Sequence, residues 1–252
     1  GDARDGERRG VPVLPRDDSL RAGGLMSATG RSDVRRPSDF YRTPSWCVHR
    51  LLDRLDLPEG NWLEPSAGDG AILSAVDEAL YVTWTAVEIR EEAIRELRRR
   101  SAAAVYVHGD FLTHAWDRRF RVCITNPPYS LAWEFVRKGL ADADWVVMLL
   151  RLNWLGSQER SRFLRTQPPD VYVLPNRPTF CVVVRCVLGH AKSVLPEDAD
   201  GLRRCATDGC TAKAKKTSSD STEYAWFVWP PHRERDHGQL MVLDSTGKEG
   251  RR

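Results

Sequence analysis

The spacing of apolar residues along the chain switches repeatedly between a helical and a strand-like period. Pro44 opens a helix predicted to run to Leu55, because Val48, Leu51, Leu52 and Leu55 then fall on one face. Trp62-Leu63 predicts a short strand, followed by a turn, SAGDG, and a helix from about Ala71 to Leu80. Tyr81 to Ile89 reads as a strand, and Arg90 to Arg100 as a helix whose basic end suits the negative C-terminal dipole. Ala103 to His108 and Phe120 to Thr125 are strands rich in β-branched residues. Leu131 to Leu140 predicts a helix, Asp144 to Leu150 a buried strand, and Gln158 to Thr166 a helix. Val171 to Leu174 and Tyr224 to Trp229 complete the series as late strands. Alternating strands and helices imply an α/β fold, with a mostly parallel sheet covered by helices on both faces. No internal repeat is visible.

The two ends lack this periodicity. Residues 1–38, rich in Gly, Pro, Ser, Asp and Arg, are expected to form a flexible arm, within which Met26 is a candidate native start. Residues 232–252 read as a polar tail. Of the 252 residues 41% are hydrophobic and 29% charged, too apolar a mixture for a disordered protein. No uninterrupted apolar run, Trp145 to Leu150 included, exceeds six residues, too short for a membrane-spanning helix. The first 25 residues hold no apolar block of signal-peptide length, so a cytoplasmic protein, without membrane contact, is expected. The net charge of +3 neither demands nor excludes a nucleic-acid partner; local clustering must decide.

In open α/β sheets ligands collect beyond the carboxyl ends of the strands. After the first strand stands LEPSAGDG, Leu63 to Gly70, in which Gly68 and Gly70 permit a tight turn and a close backbone approach. Glu88 ends the second strand nineteen residues beyond Asp69, where an acidic side chain can grip a ribose diol. After the third strand comes Gly109-Asp110-Phe111, whose carboxylate can accept from an adenine amino group while the ring packs on the base. Each such turn also occurs in proteins without a ligand; their succession at three strand ends points to a cofactor. The first loop has neither the G-x-G-x-x-G spacing of a dinucleotide site nor the G-K-[ST] of a phosphate-binding loop, so a nucleoside-containing cofactor without pyrophosphate fits better.

After the fourth strand comes Asn126-Pro127-Pro128-Tyr129. Two adjacent prolines stiffen the backbone and remove two N–H donors, leaving carbonyl oxygens and the Asn126 side chain as an acceptor array beside an aromatic ring. That array suits an amino group on a flat ring.

On these residues the chain resembles class I S-adenosylmethionine-dependent amino-methyltransferases, and specifically the phage-type DNA N6-adenine methyltransferases. The resemblance spans about Asp39 to Trp229 and rests on DFYRTP (Asp39 to Pro44), LEPSAGDG, Glu88, Gly109-Asp110-Phe111, NPPY, RPTF (Arg177 to Phe180) and STEYAWFVW (Ser221 to Trp229). The motif order is similar to that of the gamma class. It implies a Rossmann-like seven-stranded core over 39–180, an insertion at 181–222 and a final core strand at 223–231. It implies that Tyr41, Thr43 and Pro44 contact the methionine part of S-adenosylmethionine, and that Glu64, Pro65, Ser66, Gly68, Asp69 and Gly70 surround its amino-acid portion. By the same resemblance Glu88 holds the ribose, and Asp110 and Phe111 the adenine. Asn126 and the Pro127 carbonyl accept from the target amine, beside Pro128, while Tyr129 and Phe180 stack on the base. The chain departs from the familiar D-P-P-Y and F-x-G-x-G forms, so cytosine N4, RNA guanine N2 and protein glutamine N5 are alternative amines, and a non-catalytic DNA-binding module on the same scaffold is a further alternative. A monomer acting on DNA in a bacterial or phage-infected cell is expected.

The insertion carries Cys181, Cys186, His190, Cys205 and Cys210. Two C-x₄-C pairs separated by 18 residues form a candidate structural zinc site, with His190 as an alternative ligand to Cys181. The competing reading is ordinary free thiols, with Cys181 facing the core of a strand like Cys123. Four of the six lysines, Lys192, Lys213, Lys215 and Lys216, also lie here, beside Arg203 and Arg204, which makes the insertion the expected DNA-recognition region.

Overall fold

The computed structural model describes residues 42–100, 104–178, 180, 182–186, 193–195, 214–218, 222–231 and 237–245. Along the chain the elements are α1 (Ser45–Leu52), β1 (Gly60–Glu64), α2 (Ala71–Asp77), β2 (Val82–Glu88), α3 (Glu91–Arg100), β3 (Ala104–His108), β4 (Phe120–Thr125), α4 (Ala132–Asp142), β5 (Ala143–Arg151), α5 (Gln158–Thr166) and β6 (Asp170–Val173). After these come β7 (Val182–Cys186), β8 (Ser193–Leu195), β9 (Ala214–Ser218), β10 (Tyr224–Trp229) and β11 (Leu240–Val242).

Eight strands form one sheet in the order β11-β6-β10-β5-β4-β1-β2-β3. The pairings among β1 to β5 are all parallel, whereas β10 runs antiparallel between β5 and β6. Among these first strands the crossovers run outward in both directions from the β1–β4 junction, which opens a crevice at their carboxyl ends. This is the Rossmann-like sheet of the class I methyltransferase fold, with one antiparallel strand, β10, inserted near its far edge.

The central strands are buried on both sides because their residues alternate between two apolar clusters. In β10, Tyr224, Trp226 and Val228 face the cluster that holds α1, α2 and α3 residues, while Ala225, Phe227 and Trp229 face the one beneath α4. Adjacent β5 divides in the same way, with Val147 and Leu149 on one side and Val146, Met148 and Leu150 on the other. The apolar stripe of α1 is Cys47, Val48 and Leu51, all fully buried. The Cys47 carbonyl accepts from the Trp226 indole N–H at 2.8 Å, tying this first helix to β10.

Two expectations need correction. The main sheet has eight strands rather than seven, because part of the expected tail pairs as β11 with β6. Gly238 allows that approach, since a Cβ there would meet the Pro169 carbonyl, and the buried Asp170 carboxylate accepts from Gln239 N–H at 2.7 Å. Within the expected insertion, β7, β8 and β9 make a separate antiparallel sheet. Finally, α1 stops at Leu52 and α2 at Asp77, each a turn or so short of the periodic run. No helix among the described residues is long and apolar enough to cross a membrane.

Candidate active site

The site lies along the carboxyl edge of the sheet, where loops follow β1, β2, β3, β4 and β5. After β1 the chain turns sharply through Gly68 and Gly70, whose φ angles are +58° and +82°. The positive φ of Gly70 disfavours any larger residue there, and a Cβ would in addition lie 2.7 Å from the Leu97 side-chain end, which would have to shift. The turn is pinned to β2 by a hydrogen bond from Ala67 N–H to the Val87 carbonyl at 2.9 Å.

Glu88, at the end of β2, is 5% exposed and already engaged. Gly68 N–H donates to one carboxylate oxygen at 2.8 Å, and Arg90 contributes its backbone N–H and Nε to the other, both at 2.9 Å. Asp69 pairs with Arg42 at 3.2 Å and accepts from Ala71 N–H at 3.2 Å. Between Arg42, Thr43, the Ser66 to Asp69 turn and Asn126 there remains a crevice of about 30 Å³, the volume of roughly one water. A nucleoside-sized ligand there requires the crevice to open, and Arg42 is the arginine in its wall.

Glu64 at the end of β1 is wholly buried, and neither carboxylate oxygen has a hydrogen-bond partner of good geometry, although the Thr125 hydroxyl and Ser66 N–H are near. Burial, opposed by those neighbours, pushes its pKa up to about 8. An orphaned acid of this kind fits the α-ammonium group of an amino-acid ligand, and the Glu88 carboxylate, presently held by donors, fits a ribose diol. These two observations make the donor set compatible with S-adenosylmethionine.

The loop after β4 holds Asn126 in one orientation. Its Nδ2 donates to the buried Thr43 hydroxyl at 3.1 Å, and its Oδ1 accepts from the Tyr129 hydroxyl at 2.9 Å. Ser66 Oγ reaches the Asn126 carbonyl at 3.3 Å and the Thr125 hydroxyl, linking this loop to the glycine turn. The Pro128 carbonyl accepts from Leu131 N–H at 2.8 Å, whereas the Pro127 carbonyl takes no donor among the described residues.

Tyr129 belongs to an aromatic group with Tyr224 and Phe180, at centroid separations of 5.6 Å and 6.5 Å. The Arg151 guanidinium lies 4.7 Å from the Tyr129 centroid and donates to the Tyr224 hydroxyl at 3.3 Å. Arg177 binds Glu223 at 3.0 Å, joining the RPTF segment to β10.

The structure thus brings together Thr43, Ser66, Gly68, Asp69 and Asn126 around the crevice, with Glu88 behind its Gly68 wall. Pro44 caps α1 and Pro65 is buried within the turn. Two ring assignments differ from expectation. Phe111 is 2% exposed and packs against Phe135 at 5.1 Å, with the Lys138 ammonium 5.1 Å from its centroid, so it anchors the turn instead of covering a base. Phe180 is 6% exposed and meets Tyr224 edge-on at 4.9 Å; its contact with Tyr129 is tilted by 60°, which leaves no parallel slot between them. Asp110 caps its own turn through Leu112 N–H at 2.9 Å. Ile89, 64% exposed directly after Glu88, is an apolar face the sequence reading passed over. Its signal was a large apolar residue at a strand end followed by charge. Tyr41, Cys181, His190, Cys205 and Cys210 lie outside the described residues, as does the side chain of Cys186, so the zinc and Tyr41 expectations stand as proposals.

The fold and this loop constellation together define a class I methyltransferase scaffold. No protein-family model matches the chain. Its sequence is similar to the mycinamicin-resistance protein MyrB of Micromonospora griseorubida, with 30% identity over 100 residues, or 39% of this chain and 32% of that protein. The chain therefore spans about a third of the length of that curated relative. Similar solved structures include the 23S rRNA methyltransferase ErmE, with TM-score 0.48, 14% identity and coverage of 78% of this chain and 71% of that one. A SAM-dependent O-methyltransferase from Thermotoga maritima gives 0.47, 14%, 81% and 69%. A dimethyladenosine transferase from Plasmodium falciparum gives 0.46, 12%, 77% and 63%.

Proposed function

We propose that this chain is an S-adenosylmethionine-dependent methyltransferase that modifies the exocyclic N6 amine of an adenine flipped out of DNA. The observation that carries the reading is the fixed Asn126 carboxamide, held at its nitrogen by Thr43 and at its oxygen by Tyr129. An amide oxygen has two acceptor sites, so Asn126 Oδ1 can take a substrate N–H while keeping the tyrosine hydroxyl. The Pro127 carbonyl is available for the second N–H.

An adenine N6 is a weak nucleophile because its lone pair is delocalised into the ring. Accepting hydrogen bonds from both of its hydrogens favours a pyramidal nitrogen and stabilises the positive charge that develops there as the methyl leaves a neutral thioether behind; one N6 proton then passes to water. The cofactor supplies a methyl group already activated on a sulfonium sulfur. On this reading Glu64 holds the cofactor's ammonium group and Glu88 its ribose, so the protein's remaining task is alignment, with no covalent intermediate. In a duplex the base must first leave the stack at a cost of roughly a few kcal/mol, and the Tyr129 ring beside Asn126 offsets part of it.

Replacing Asn126 with alanine is the test. Methyl transfer to DNA is expected to fall by about 10² to 10³ or more, while cofactor affinity stays within about threefold. Unchanged turnover in this variant overturns the reading.

A further inference from the structure

Beyond Tyr129, on the side away from the cofactor crevice, a cavity of about 250 Å³ opens between the start of α4, the end of β5 and the start of α5. Asn126 does not line it. Its walls include Tyr129, Trp133, Arg151, Asn153, Trp154 and Arg160, and no carboxylate is among its lining residues.

Two features of these walls converge on one ligand chemistry. Both guanidinium groups are braced, Arg151 by the Tyr129 ring and Tyr224 hydroxyl, Arg160 by the Trp154 ring at 4.9 Å and by its Nε bond to the Trp154 carbonyl at 3.0 Å. Braced guanidinium groups lose less entropy on binding an anion than mobile ones. Two tryptophans supply flat apolar surface. A ligand that is both anionic and aromatic matches both, and the volume approaches the lower end of small-molecule sites, about 300 Å³.

We propose that this cavity receives the nucleotide adjoining the target adenine, with its phosphate between Arg151 and Arg160 and its base against Trp133 and Trp154. The inference rests on the nucleic-acid reading above. Tyr129 is the shared wall, its hydroxyl on Asn126 and its ring on the cavity, so a strand that offers an amine to Asn126 would continue into this space. The preference for particular flanking bases would then be set by Trp133, Asn153 and Trp154.

The experiment compares the full chain with its Arg160→Gln and Arg160→Lys variants, without cofactor, in binding a single-stranded pentadeoxynucleotide with a central adenine and, separately, deoxyadenosine. Arg160→Gln is expected to weaken the pentanucleotide by about tenfold and to flatten its log–log salt dependence by about 0.7, with deoxyadenosine unaffected. Arg160→Lys is expected to restore the salt slope. Equal pentanucleotide affinity in Arg160→Gln, an equal loss for deoxyadenosine, or no recovery in Arg160→Lys overturns the cavity assignment. If the unaltered protein methylates DNA and these variants behave like it, only the cavity assignment fails. If the unaltered protein binds no pentanucleotide, the nucleic-acid reading fails and takes the cavity with it.

Discussion

The two halves of the sheet's carboxyl edge use loops of the same kind but differ in where their polar groups end. On the β1 and β2 side, Glu88 is saturated by Gly68 and Arg90, and Asp69 is paired with Arg42. On the β4 and β5 side, Asn126 is held at both ends yet keeps acceptor capacity, and the cavity walled by its partner Tyr129 has no carboxylate in its lining. A ligand entering the first half must exchange partners with the protein, whereas one entering the second meets groups already set. Binding of the cofactor should therefore be coupled to side-chain rearrangement and proton release, while the acceptor half contributes mainly preorganisation.

Glu64 sharpens this contrast most. Its pKa of about 8 leaves roughly nine-tenths of it protonated at pH 7, whereas an ammonium partner requires the carboxylate. Calorimetry in buffers of different ionisation enthalpy should show close to one proton released per cofactor bound at pH 7, with affinity rising toward pH 8. Glu64→Gln should weaken cofactor binding by about a hundredfold. The free protein gives an independent reading. Because the folded pKa lies above the unfolded value of 4.5, the native state retains a proton that the unfolded chain has lost. Glu64 therefore lowers stability by up to roughly 1.4 kcal/mol per pH unit between about 4.5 and 8. The glutamine variant should lose that dependence and melt higher at pH 8; an unchanged pH profile would contradict the assignment.

Thr43 tests whether the acceptor half is truly preset. Thr43→Val frees the Asn126 amide to rotate, and kcat is expected to fall about tenfold with cofactor affinity nearly constant. A loss confined to cofactor binding would assign the hydroxyl to the cofactor instead, as the sequence resemblance implies. A smaller effect is expected at Arg90. Removing its guanidinium leaves Glu88 less compensated in the free protein and ends the competition for its oxygens, so Arg90→Ala should tighten cofactor binding about threefold while lowering the melting temperature. Weaker binding would mean that Arg90 serves the ligand directly.

Much of this architecture was legible in the sequence because it is written in local periodicity. Phe120–Thr125, Gln158–Thr166 and Tyr224–Trp229 are found with the boundaries their patterns predict, and the other main-sheet strands from β1 to β6 shift by a few residues at most. The glycine turn, Glu88 and NPPY could be placed at strand ends because loop position follows from element order. What escaped depends on contacts between distant segments. The β11 strand is three residues long, with Leu240 and Val242 two-thirds exposed, and it pairs because Gly238 can lie against Pro169. Phe111 and Phe180 read as ligand-facing by their motifs, but Phe135 and Tyr224 bury them. The acceptor-side cavity joins Tyr129 to Arg160 across two elements, and no sequence spacing announces it.

The central claim is adenine N6 methylation of DNA, and its most direct test follows the methyl group itself. The full chain is incubated with tritiated S-adenosylmethionine and unmethylated double-stranded DNA, with RNA and protein acceptors in parallel, and the nucleic acids are digested to nucleosides. The account predicts label in N6-methyldeoxyadenosine. Label in N4-methyldeoxycytidine, in RNA or in protein, or no incorporation at all, would contradict it.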